Sequence, residues 1–213
     1  MINIPLTLEQ LLAIFEAYNI AIWPMQVLAY VLGLVAVYFA WKRIRYSNSI
    51  ISAILAVMSL WTGIVFCTFF WAPAYGTAYG FAVLLIAQGI LFSMNVFTAR
   101  LSYHLGSDVY SVIGILFILY AMVGYPVVGY FLGHIYPRAL PFGLAPCPTT
   151  VFTFGLFMLT DKKVAKTFLV IPLLLAISAF VPVSTGILED IGLIIAGLVG
   201  TPMILLRDRK SQG

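Results

Sequence analysis

The chain has 213 residues, of which 63% are hydrophobic and only 8% are charged, and its formal net charge is +4. A soluble domain carries about 25% charged residues because its surface faces water. This composition therefore excludes an ordinary soluble protein and predicts a protein embedded in lipid. The net positive charge is then expected to orient the loops across the membrane rather than to bind nucleic acid.

The first predicted element is a short amphipathic helix within TLEQLLAIFEAYN, residues 7–19. Thr7 and Gln10 have the spacing of a capping box, and an apolar stripe follows on one face, formed by Leu8, Leu11, Leu12 and Phe15. We expect this helix to lie at the outer membrane interface and to anchor the chain there. No basic residue precedes the first apolar run, so no cleavable signal peptide is expected.

Seven apolar segments follow, and each is predicted to span the membrane. A bilayer core of about 30 Å requires roughly 20 apolar residues per helix. Trp23 and Trp41 bracket the first segment, about 27 Å apart along a helix, which is the spacing of two membrane interfaces. The predicted segments are about 22–41, 49–71, 79–99, 109–132, 148–161, 166–183 and 188–206. They indicate one all-α, polytopic membrane domain over residues 1–213.

The basic residues orient this helix bundle. Positive loops face the cytoplasm in membrane proteins, and ten of the eleven basic residues follow the first, third, fifth or seventh segment, with Arg138 as the exception. The N-terminus is therefore predicted outside and the C-terminus in the cytoplasm, in a bacterial inner (plasma) membrane.

Ionisable side chains are absent from the interiors of the seven segments, apart from their ends. Buried charges mark proton relays, voltage sensors and counter-ions in membranes, so these classes are disfavoured, as is a retinal protein with a lysine in its last helix. The chain also lacks a nucleophile elbow, a zincin motif and a P-loop. These absences do not exclude an enzyme, but they favour a protein without enzymatic activity.

Three amides remain at bilayer depth, and they carry two interpretations. Gln26 lies in the first segment, near Trp23, while Gln88 and Asn95 share one face of the third segment because seven residues separate them. They either form hydrogen bonds between helices, which average about 0.6 kcal/mol in membranes, or line a polar pathway.

The fifth segment is the exception in length, and it follows the stretch LPFGLAPCPTTVFTFG, residues 140–155. Either lysines at its far end extend toward the interface, or its start dips below the outer interface as a re-entrant segment. Cys147, Thr149 and Thr150 surround the free amides of its first turn, and such a helix start favours anions.

The two cysteines allow a further hypothesis. Cys67 and Cys147 are both expected at outer depth, close to Met25 and His134. Thiolate, thioether and imidazole together suit a soft metal such as Cu(I) or a thiol redox pair. A structural disulfide and two unconnected thiols are the alternatives, and no other cofactor is expected.

Two stretches resemble a family of small bacterial integral membrane proteins of unknown function. They are IPLTLEQLLAIFEAYNIAIWPMQ, with Trp23-Pro24, and GLAPCPTTVFTFG, with its APCPT core. The resemblance covers most of the chain and implies a multi-spanning membrane protein, without an activity or a ligand to transfer.

The preferred function is a small permease or channel-like protein for a small solute or ion. Its site is predicted near the outer end of the fifth segment and is built from Cys147, Thr149, Thr150, Gln26, Gln88, Asn95 and Trp23. The alternatives are a sensor or accessory subunit of a membrane complex, and a protein that handles thiols or a soft metal. The expected partners are the lipid bilayer and either a second copy or a membrane complex.

Overall fold

The structure, a computed structural model, describes residues 7–210. Within this part of the chain there are eight helices and no strand. Their bounds are α1 Leu8–Ala21, α2 Met25–Lys42, α3 Ser47–Trp71, α4 Ala78–Thr98, α5 Val109–Phe131, α6 Pro146–Met158, α7 Lys166–Thr185 and α8 Leu188–Arg209. The all-helical prediction is confirmed.

Six of these helices, α2 to α5, α7 and α8, are long and apolar enough to cross a membrane by length and composition. This is consistent with a polytopic membrane protein. The expected count of seven spans is not confirmed, because α6 has only 13 residues and measures about 20 Å.

Helix α1 begins as the sequence predicts. The Thr7 hydroxyl accepts a hydrogen bond from the Gln10 amide at 3.3 Å, and the Gln10 side chain accepts one from the Thr7 amide at 2.9 Å. Its apolar face is buried against protein: the rings of Phe15 and Phe66 lie 6.2 Å apart, and Tyr18 donates a 2.7 Å hydrogen bond to the Leu144 carbonyl. The helix therefore covers one end of the bundle.

Helix α6 is enclosed by the other helices. Every one of its residues is buried except Cys147, which is partly exposed. Its backbone lies against α5, where a Cβ on Gly155 would sit 2.6 Å from Ile118 and 2.9 Å from the Gly114 carbonyl. Glycine at this position allows the close helix contact. The short fifth segment of the sequence is thus a core helix that does not need to match the bilayer thickness.

Several long helices depart from regular α geometry. The second part of α3, Thr62–Trp71, is a π-helix, and π segments also interrupt α5 at Tyr120–Gly124 and α8 at Ala196–Gly200. Helix α7 breaks at Ala179, between Lys166–Ser178 and Phe180–Thr185. Such irregularities occur often at functional sites.

The C-terminal ends of α2, α6 and α8 meet at one end of the bundle, called the basic end. Arg43 pairs with Asp161 there, and Arg207 donates hydrogen bonds to the carbonyls of Phe157 and Met158 at 3.2 and 3.1 Å. The beginning of α6 and the loop that carries Arg138 lie at the opposite end, where Arg138 pairs with Glu9.

Candidate functional site

Two adjacent carboxylates are buried where α8 begins. Glu189 is 2% exposed and Asp190 is fully buried. Both residues lie within the last predicted segment, so the expectation that the segments contain no ionisable side chain is wrong, and sequence reasoning gave these two residues no role. An intramembrane ionisable residue is by default a functional candidate, so this pair defines the centre of the site.

Asp190 accepts two hydrogen bonds from neighbouring helices. The Tyr125 hydroxyl donates to Oδ1 at 2.5 Å, and the Cys147 thiol donates to Oδ2 at 3.1 Å. Tyr125 directly follows the π segment of α5. Among the side chains that the structure describes, no Lys, Arg or His forms an ion pair with Asp190.

Glu189 has one partner that can neutralise it. His134 Nδ1 lies 2.9 Å from Oε1, and the imidazole is itself buried. The second oxygen, Oε2, is buried and has no hydrogen-bond partner among the described residues. Tyr120 donates a 2.7 Å hydrogen bond to the Glu189 backbone carbonyl. We call Glu189, Asp190, Tyr125, Cys147 and His134 the carboxylate cluster.

A cavity of about 250 Å³, here the Cys147 cavity, reaches the cluster from one side. Its walls come from the end of α3, the α3–α4 loop, the break in α7 and the first turns of α4, α6 and α8. The lining residues are Trp71, Tyr75, Thr77, Phe81, Pro146, Cys147, Leu175, Ser178, Ala179, Val181, Pro182 and Leu193. The walls are mostly apolar, and Cys147 links them to Asp190.

A smaller cavity of about 40 Å³ adjoins the first and is lined by Asp190 itself. The two share Trp71, Pro146, Cys147 and Pro182 in their walls. The carboxylate therefore lies directly behind the wall of the Cys147 cavity.

A separate cavity of about 290 Å³, the His134 cavity, lies on another side of the cluster. It is lined by His134, Gln26, Asn19, Tyr30 and residues of the loop that precedes α6. Gln26 donates hydrogen bonds to the Asn19 carbonyl and side-chain oxygen at 2.9 and 3.1 Å, while its own Oε1 has no partner among the described residues.

The start of α6 offers few donors to an anion. Pro146 and Pro148 have no amide hydrogen, and the Thr149 amide already donates to the Ala145 carbonyl at 3.3 Å. The hydroxyls of Thr149 and Thr150 donate to the carbonyls of Ala145 and Pro146 at 2.6 and 2.7 Å. These two threonines are buried and line neither of the two larger cavities.

The other predicted site residues do not gather around Cys147. Gln88 donates a 3.4 Å hydrogen bond to the Phe168 carbonyl. Asn95 donates to Ser52 at 2.7 Å and caps the end of α4 by accepting from the amides of Arg100 and Leu101. Trp23, between α1 and α2, is 61% exposed. Of the predicted set, the structure brings only Cys147 to the cluster and its cavity, and it places Gln26 in the other cavity.

The soft-ligand residues do not form a joint site in the described part of the chain. Cys67 and Cys147 are free thiols, so the disulfide alternative is not formed. Cys67 is fully buried in the π segment of α3, His134 is engaged by Glu189, and Met25 begins α2. Within residues 7–210 no group of three His, Cys, Asp or Glu side chains could hold a metal ion.

Sequence reasoning missed Tyr125, Glu189 and Asp190. The available signal was a pair of carboxylates inside an apolar segment, at the depth already assigned to Cys147.

No curated protein and no solved structure matches the chain. One family model does, over residues 8–212, which is nearly the whole chain. The chain therefore belongs to the DUF6064 family, a family of unknown function.

Proposed function

We propose that this protein is a multi-pass permease of the bacterial inner (plasma) membrane and that it binds a small solute in the Cys147 cavity. The observation that carries the proposal is this cavity of about 250 Å³, whose wall includes Cys147, the thiol that donates to the buried carboxylate of Asp190. Its lipid partner is the bilayer around α2 to α5, α7 and α8.

The break in α7 supports this choice. Ser178, Ala179 and Pro182, at and around the break, all line the cavity. Discontinuous helices that meet at the substrate are a recurrent design of membrane transporters, because their exposed backbone ends and hinges serve binding and movement.

The buried carboxylates change the expected energetics. The sequence disfavours a proton relay because the segments were expected to lack buried charge, but Glu189 and Asp190 supply groups that can exchange a proton or bind a cation. The proposed permease is therefore one in which solute movement is linked to these carboxylates.

The proposed orientation follows the positive-inside rule. Arg43 and Arg207 share the basic end, which we assign to the cytoplasm, with the N-terminus outside. The Cys147 cavity then opens toward the outer side.

Flux measurements in proteoliposomes test the proposal. The purified protein is reconstituted and assayed by counterflow with a panel of small cations, neutral alcohols and carboxylates. We expect at least one class to move faster than in protein-free liposomes, and Cys147→Trp to stop this flux by filling the cavity. The matched control is Val83→Trp, at a 67% exposed position of α4.

Absence of protein-dependent flux for every class in the panel overturns the permease. If the protein also co-purifies with another membrane protein at a fixed ratio, the accessory-subunit alternative replaces it. Equal flux in wild type and Cys147→Trp would instead place the pathway outside this cavity.

A further inference from the structure

We infer that the ligand of the Cys147 cavity is a small organic cation, with an ammonium group directed at Asp190 and an apolar body in the cavity. This inference rests on the proposed function only for the choice of cavity. It concerns binding, so it is testable without any transport measurement.

The first argument is charge. Both partners of Asp190, the Tyr125 hydroxyl and the Cys147 thiol, are neutral donors. Both donors are uncharged, so an ionised Asp190 has no counter-ion among the described side chains. A buried charge without a paired opposite charge is strongly unfavourable, so a cation that reaches Asp190 through the adjoining 40 Å³ cavity gains a partner that the described side chains do not provide.

The surrounding titratable groups do not neutralise Asp190. Glu189, its neighbour on α8, carries the same sign of charge and is paired with His134. Tyr120 contacts the backbone of Glu189. Tyr125 on α5 and Cys147 on α6 donate neutral hydrogen bonds. The carboxylate cluster therefore lacks a counter-ion for Asp190, which the positive charge of a ligand would supply.

The second argument excludes the opposite charge. An anion at the start of α6 would meet the Asp190 carboxylate, and the proline residues on either side of Cys147 remove two of the amides that usually bind anions at a helix start. The anion-binding role expected from the position of Cys147 is thus disfavoured by the same prolines that mark the motif.

The third argument is the composition of the walls. Trp71 stacks on Phe81 with ring centroids 5.1 Å apart and on Tyr75 at 6.4 Å, which forms a fixed aromatic wall. Leu175, Val181 and Leu193 are among the other lining residues. A ligand with methyl or methylene groups fills such a space well, and aromatic rings also attract ammonium groups.

Choline and 3,3-dimethylbutan-1-ol provide the test, because they have the same shape and differ in charge. Binding is measured by calorimetry on the full chain in lipid nanodiscs, with butylammonium as a second cation. We expect the cations to bind about 10-fold to 100-fold more tightly than the neutral alcohol, as a charge-assisted contact predicts. Asp190→Asn should reduce this preference to nearly one, whereas Asp161→Asn, at the basic end, should preserve it.

The native Cys147 thiol gives an independent readout that also controls for folding. It lines the cavity, whereas Cys67 is fully buried. Choline should slow alkylation of Cys147 by a small maleimide in wild type but not in Asp190→Asn, whose melting temperature reports whether it folds.

The two proposals fail differently. Equal binding of choline and its neutral analogue, no binding of either cation, or unchanged cation preference in Asp190→Asn overturns the cation inference. Choline binding and protection without flux of any solute would keep the cation site and overturn the permease. Flux of a carboxylate that requires Cys147 would keep the permease and overturn the cation.

Discussion

The two ends of α6 lie in different environments. Near Cys147 the helix borders cavities and buried carboxylates, whereas toward the basic end it packs into rings: Phe157 lies 5.9 Å from Phe92 and 6.5 Å from Phe168 between centroids. The aromatic half supplies apolar burial without polar atoms, and the other half leaves space and ionisable groups. Because the aromatic packing fixes one end of α6, the Cys147 thiol at the other end is held in a defined position, as a binding site requires.

The largest expected effect comes from opening the basic end. Arg207→Met removes the donors to the carbonyls of Phe157 and Met158 and to the Thr160 hydroxyl, and it removes the ion pair with Asp208, which keeps its hydrogen bond from the Val164 amide. Removal of one partner from a largely buried ion pair costs about 3–5 kcal/mol. Unfolding in mixed SDS–detergent micelles measures this loss, and Arg209→Met, an exposed neighbour, should lose far less.

The next effect concerns the carboxylate cluster. His134→Ala leaves both oxygens of Glu189 without a side-chain partner, which costs about 2–3 kcal/mol for a buried charged group. Adding Glu189→Gln should recover part of this stability, since the amide carries no charge. Unfolding curves of the two single variants and the double variant measure the coupling, and strict additivity would show that the His134 and Glu189 side chains do not interact in the folded protein.

A third change tests the close contact between α5 and α6. Gly155→Ala inserts a methyl group 2.6 Å from Ile118 and 2.9 Å from the Gly114 carbonyl. Overpacking of this kind costs about 1–3 kcal/mol. Gly80→Ala is the control, because no atom lies within 4 Å of the added carbon. An equal response of the two variants in the same unfolding assay would contradict the tight packing of α6.

The smallest effect is expected at the surface of the basic end. Asp161→Asn breaks the pair with Arg43, whose side chains are 31% and 49% exposed, respectively. Exposed pairs contribute about 0.2–1 kcal/mol and are screened by salt. The difference in unfolding free energy between Asp161→Asn and wild type should shrink further at high ionic strength. A large loss that does not depend on salt would instead mean that this pair belongs to the buried contacts around Arg207.

The helices were largely predictable from the sequence because their bounds depend on local features of the chain. Apolar runs of bilayer length set the bounds of α3 and α4 to within about two residues, 49–71 against Ser47–Trp71 and 79–99 against Ala78–Thr98. The capping box placed the start of α1 equally well. These features depend on residues close together in the chain, so composition and spacing suffice to find them.

The site was not predictable in the same way. Asp190 becomes important because Tyr125 and Cys147, 65 and 43 residues away, donate to it, and hydropathy contains no information on such contacts. Asn95 follows one of its two expected interpretations: it forms a hydrogen bond between helices with Ser52, and its side-chain oxygen accepts from the amides that follow α4. Cys147 was found because its flanking prolines break the local pattern.

The enclosure of α6 also constrains biogenesis. A segment of 13 residues with three threonines and two prolines has little reason to remain in lipid by itself, and the helices that complete its surroundings, α7 and α8, are synthesised after it. Before α7 and α8 are synthesised, α6 can therefore be covered only by earlier helices, which include α5 and the Phe92 ring of α4. The Asp190–Cys147 hydrogen bond joins α6 to α8, so it forms only after α8 has been synthesised.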